Sequence, residues 1–179
     1  MRELWEALEK EEPVPLRRTG RCLPYGDGIT YWALGEVLKE QFRLLDSDAP
    51  ADVLARLGER EILGLALGLD VAQELHPFEA RERLHVEAVA FVEELAAERP
   101  LVLLVEDLHW AEDDLLDLLD RIAREARGSI LLLATSRPEL LDRRPVWGGG
   151  RRNTAAIWLE PLPDDDTSRL LEELSITGP

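Results

Sequence analysis

The chain has 179 residues, 45% of them hydrophobic, and a formal net charge of −16. That length suits a single domain with a core of its own, and no apolar run is long enough to span a bilayer. So acidic a chain argues against nucleic acid as a direct partner, because phosphate neutralisation needs a basic face.

The lone cysteine, Cys22, excludes an internal disulfide framework and fits a reducing cytoplasm. Met1 to Lys10 alternates charged and apolar residues, which is unlike a secretory signal. Lysine occurs only as Lys10 and Lys39, and neither follows the glycines that a phosphate-gripping loop requires.

In chain order, Arg2 to Glu11 reads as a short helix ended by Pro13 and Pro15. Val14 to Cys22 reads as a strand, and Arg17 and Arg18 mark it as an edge strand. Leu23 to Gly28 is turn chemistry, with Thr30 as the N-cap of a helix from Tyr31 to about Leu45. Asp52 to Leu69 holds small helices broken by Gly58, Gly64 and Gly68. Pro77 opens a long helix to about Glu98, its donorless nitrogen sitting where no partner exists anyway.

Leu101 to Val105 is an unbroken apolar run, the mark of a strand buried on both faces in a helix-covered parallel sheet. Glu106 and Asp107 end it. Acids there sit at the carboxyl edge, where open α/β sheets bind ligands. Mg²⁺ takes oxygen ligands and usually only one or two carboxylates, with phosphate oxygens completing its shell. Glu106 and Asp107 are therefore candidates to hold Mg²⁺ and to orient or deprotonate an attacking water, the logic of a Walker B motif. The alternative is that they merely cap the helix that follows.

That helix runs from Glu112 to about Arg127, acids in its first turn and arginines in its last, and Gly128 closes it. Ser129 to Thr135 reads as a second buried strand ending in Thr135, Ser136 and Arg137. Pro138 to Asn153 reads as a long loop, Ala155 to Leu159 as a third strand, and Asp164 to Leu174 as a final helix. Strand–helix–strand crossovers in sequence imply a three-layer α/β fold, a parallel sheet with helices on both faces.

Arg137 bears on the acids because it follows the next parallel strand and so reaches the same sheet edge. Its guanidinium fork matches phosphate oxygens, though a surface arginine before a turn would look alike. His109 would extend the acids toward a metallohydrolase, but no second His or Cys stands at ligand spacing. Cys22 reads as structural, and Trp147 with its three glycines as a solvent loop with one docking tryptophan.

Four blocks, in order, carry a family resemblance: Gly20 to Trp32, the Glu-Asp-Leu-His-Trp-Ala segment, Ala134 to Pro145, and Trp147 to Gly150. They resemble the AAA-like ATPase domain of STAND-class P-loop NTPases, found beside adenylate or guanylate cyclase domains and in large bacterial transcriptional regulators. The resemblance spans nearly the whole chain, so residues 1–179 are expected to form one partial domain of this type. It implies a cytoplasmic ATP–Mg²⁺ switch, with Glu106 and Asp107 as Walker B and Thr135 and Arg137 at the phosphates. It implies a cyclase or DNA-binding output domain in the parent protein.

Such domains also carry a glycine-rich Walker A loop ending in Gly-Lys-Ser/Thr, and this sequence has none. The chain is expected to begin just past that loop, lacking its strand and leaving a gap between otherwise paired strands. Alone it is expected not to bind ATP tightly, because the loop supplies the backbone donors and the lysine that hold phosphates. The alternative is a non-catalytic interaction module that keeps the scaffold and self-associates through the unfilled sheet position.

Overall fold

The computed structural model describes residues 2–24, 30–149 and 153–176. The chain divides into two compact units, Met1–Trp147 and Gly148–Pro179. The first holds α1 (Arg2–Leu8), β1 (Leu16–Arg21), α2 (Trp32–Phe42), α3 (Pro50–Leu57), a kinked 3₁₀ run over Gly58–Leu67, α4 (Pro77–Glu98), β2 (Leu101–Glu106), α5 (Asp113–Glu125), β3 (Ile130–Ala134) and α6 (Glu139–Arg143). The second holds α7 (Asp164–Ile176).

The strands form a parallel sheet in the order β1-β2-β3, with helices around it. Leu16, Leu101 and Ile130 lie in register at one end. At the other end Arg21 faces Glu106. The apolar residues of central β2 are each 5% exposed or less, as a strand covered on both faces requires. β1 is an outer strand, as its arginines predict. β3 is the other, and its all-apolar Ile-Leu-Leu-Leu-Ala run is only partly buried, with Leu131 45% exposed.

The main core gathers Leu101, Leu103 and Val105 of β2 with Val37 and Leu38 of α2, Leu84 and Phe91 of α4, and Leu116 and Leu119 of α5. Alternate residues of a strand share a face, so this is one side of the sheet. On the other side, Arg17 of β1 stacks its guanidinium 4.0 Å from the ring of Trp5 in α1. Gly20 sets how closely α2 packs on β1, since a Cβ there would fall 2.1 Å from the Ala33 carbonyl oxygen.

Several expectations are corrected. The three strands are consecutive hydrogen-bonded neighbours, so no gap separates them and a further strand must add at an outer edge. Ala155 to Leu159 is not a strand: Ile157 and Leu159 are 82% and 91% exposed, and among the described residues no strand pairs with them. Alternating apolar residues favour a strand only where a partner edge exists.

Thr30 is not an N-cap. The helix starts one residue later behind Tyr31, without a side-chain cap, and the Thr30 hydroxyl donates to Glu112 Oε2 at 2.6 Å. α2 stops before Leu45 because Arg43 turns left-handed (φ 53°), and its N–H and that of Leu44 both donate to the Lys39 carbonyl. The Pro138–Asn153 stretch is not all loop, since α6 forms where Leu140 is 2% exposed in the core. Of the turn expected over Leu23 to Gly28, the residues from Tyr25 on lie outside the described residues.

Candidate functional site

β2 delivers Glu106 and Asp107 to the carboxyl edge of the sheet, and both neighbouring strands grip the turn that carries them. On the β3 side, the Thr135 hydroxyl accepts from the Asp107 amide at 3.2 Å. The Thr135 amide donates to the Val105 carbonyl at 3.0 Å, and its carbonyl accepts from the Leu108 amide at 2.9 Å. On the β1 side, the Cys22 amide donates to the Glu106 carbonyl at 2.9 Å.

Asp107 is held at φ 57°, ψ 40°, a left-handed conformation that few non-glycine residues adopt and that Asp tolerates better than most. Backbone of this kind clusters where function demands it.

Arg21 answers both acids. Its Nη2 lies 3.4 Å from Glu106 Oε2 and its Nε 3.3 Å from Asp107 Oδ2. Its own amide donates to Glu36 Oε2 at 2.5 Å, which fixes the strand end below the guanidinium. Nothing in the sequence pattern singles Arg21 out. A cation ending one strand beside acids ending another is the available signal, but it becomes readable only once β1 and β2 are known to be neighbours in this register.

The remaining candidates are placed as follows. Arg137 is exposed, three residues past β3, and makes no ion pair among the described residues. Thr135 spends its hydroxyl on the Asp107 amide. His109 lies against Trp110, ring centroids 4.9 Å apart and tilted by 44°, and both its ring nitrogens are buried without a partner. Among the described residues no group of three or more His, Cys, Asp and Glu is gathered to hold a metal, so Glu106, Asp107 and His109 do not form a metallohydrolase centre. The Cys22 thiol is pushed up to about 12 by burial and by the nearby Asp107 and Glu36 carboxylates. It stays protonated and inert at neutral pH.

A second polar cluster links the start of α2 with α4 and α5. The Tyr31 hydroxyl lies 2.9 Å from Nε2 of buried His85. Beside it Arg81 pairs with Asp114 at 2.8 Å and Asp117 at 2.7 Å, tying α4 to α5. Burial first, and the Arg81 charge second, lower the His85 pKa; burial and Asp114 raise that of Tyr31. A cavity of about 150 Å³, lined in part by Cys22, Trp32, Trp110 and Glu112, is too small for a nucleotide, since ligand clefts run to about 300 Å³ and more.

Chemically, two carboxylates could hold a hard divalent cation only if oxygen ligands from outside the protein completed its shell. Two oxygen-donor carboxylates already converge on a single positive group, the Arg21 guanidinium. That suits Mg²⁺, which needs only one or two protein carboxylates when phosphate oxygens complete its shell. It does not suit a metal caged entirely by protein.

A relative in Rhizobium meliloti (strain 1021), an uncharacterized protein, is 34% identical over 92 residues. That match covers 51% of this chain but only 9% of the relative, so the chain spans a small part of that protein. No solved structure gives a significant match. The family model described as the AAA ATPase domain matches residues 1–133, which takes in both strands of the acid site and most of β3. With an acid-tipped central strand in a parallel α/β sheet and well over half of its length matched, the chain belongs to the AAA ATPase domain family.

Proposed function

We propose that this chain is part of an ATP-binding and hydrolysing regulatory switch domain of the STAND class, within a bacterial signalling protein. The reading is carried by one observation: two adjacent carboxylates converge on a single cation at the carboxyl tip of the fully buried central strand. Mg²⁺, which AAA ATPases generally use with ATP, supplies charge neutralisation on the phosphates when bound.

The chain's own residues supply the rest. Glu106 and Asp107 hold the metal and position the attacking water. Thr135 keeps Asp107 aimed by accepting its amide hydrogen bond, and Arg137 reaches the phosphates from the neighbouring strand end. The switch acts in the cytoplasm on a cyclase or DNA-binding output domain of the same parent.

No glycine-rich loop ending in Gly-Lys-Ser/Thr occurs in these 179 residues. Without its backbone donors and lysine, affinity for Mg-ATP is weak and turnover absent. Calorimetric titration with Mg-ATP is expected to show no micromolar affinity. Amide NMR at millimolar Mg-ATP is expected to perturb Glu106, Asp107, Thr135 and Arg137 first; perturbation confined to other residues would refute the assignment of the site.

A second reading, a non-catalytic interaction module retaining the scaffold, is favoured by β3. It is an outer strand without a single charge, proline or bulge to protect its edge, and Leu131 is 45% exposed. Light scattering tests it: concentration-dependent dimers abolished by Leu131→Lys support self-association through β3, and a monomer at all concentrations removes it.

A further inference from the structure

The two carboxylates assigned to the metal are not free. Each is paired with the same guanidinium, at 3.4 and 3.3 Å. One positive charge therefore stands where the divalent cation is required. A carboxylate neutralised by a cation at this range has given up much of its attraction for a second one.

The contact is built rather than incidental. The β1–β2 register places Arg21 opposite Glu106, and the left-handed turn at Asp107 brings the second carboxylate onto the Nε side of the same fork. Glu36 pins the Arg21 amide from α2, so the strand end stays put while the long side chain remains free to swing. Arg21 and Asp107 side chains are 56% and 43% exposed, so exchange needs no opening of the core.

Resting on the reading of Glu106 and Asp107 as the metal carboxylates, we infer that Arg21 is a built-in counter-cation, an autoinhibitory contact that competes with the divalent ion for both acids. In the structure the acids are satisfied internally. They take a divalent ion only after Arg21 has left them, so metal loading and the Arg21 position are two faces of one equilibrium. The observable consequence is that Arg21 lowers the affinity of the site for a metal that it never touches.

Mn²⁺ is the probe, a hard oxygen-seeking ion whose free fraction is read directly by its electron paramagnetic resonance signal. Titrations are run on the whole chain, on Arg21→Gln, and on each in a Glu106→Gln/Asp107→Asn background that subtracts Mn²⁺ held elsewhere on the acidic surface. Arg21→Gln is expected to tighten the acid-dependent Mn²⁺ binding by between about twofold and thirtyfold, the range that two partly exposed ion pairs supply. The gain is expected to vanish in the background lacking the acids.

Arg21→Lys keeps the charge but loses the fork, and is expected to fall between wild type and Arg21→Gln. It serves as the deciding variant should circular dichroism show Arg21→Gln to be unfolded. Equal or weaker acid-dependent binding in these variants overturns the counter-cation and leaves the metal reading standing. A gain that persists without the acids also overturns it, as a general charge effect. Absence of any acid-dependent Mn²⁺ binding overturns both.

Discussion

The Tyr31 hydroxyl lies 2.9 Å from Nε2 of His85, with the two rings edge to face, and joins the start of α2 to α4. His85 is 2% exposed, and its surroundings include Arg81, Glu82, Asp114 and Arg121. Burial and Arg81 hold its folded pKa below the ordinary 6.5. The sign follows: below 6.5 the unfolded chain takes a proton that the folded chain refuses. His85 therefore costs nothing above that pH, and stability is lost as pH falls from there toward the folded value, by at most about 1.4 kcal/mol per pH unit. Thermal melts from neutrality to about pH 5 are expected to fall more steeply for wild type than for His85→Gln, which cannot take the proton. Parallel profiles would show that the ring does not carry the effect.

Gly20 and Ala33 meet backbone to backbone, with an added Cβ falling 2.1 Å from the Ala33 oxygen and 2.7 Å from its carbonyl carbon. Neither is a flexible side-chain end, so α2 itself has to move. Gly20→Ala is expected to cost about 3 kcal/mol or more, the upper end of overpacking penalties, read from urea unfolding. Because Gly20 precedes Arg21, the same variant is expected to loosen the acid site. Wild-type stability would mean that the β1–α2 contact is softer than its geometry.

Asp107 separates stability from function. Its left-handed backbone costs an L-residue roughly 1–2 kcal/mol, a strain that glycine does not feel. Asp107→Gly is expected to unfold at a urea concentration no lower than wild type and to lose metal binding. Asp107→Ala keeps the strain without the polar side chain and is expected to be the least stable of the three. If alanine matched glycine, the turn would carry no strain worth naming.

Much of the scaffold was legible from residue pattern. The bounds of α4, Pro77–Glu98, follow from a first-turn proline and a stripe spaced for a helix. The unbroken Leu101–Val105 run announced a strand covered on both faces, and Arg17 and Arg18 announced an outer one. Thr30 misled because a hydroxyl before an apolar run looks like a cap, and only the folded chain brings Glu112, 82 positions away, to claim it. Ala155–Leu159 misled because alternation reports what a strand would bury, not whether an edge is there to receive it.

What the sequence by itself determined is the chemistry available at one end of one strand: two acids after an apolar run, in an acidic chain without a phosphate-gripping lysine. What only the tertiary structure decided is which charge those acids meet. Arg21 lies 85 positions before Glu106 in the chain and opposite it in the sheet. Strand register is fixed by which face of each strand is buried against the helices, and that pairing of distant segments exists only in the folded sheet.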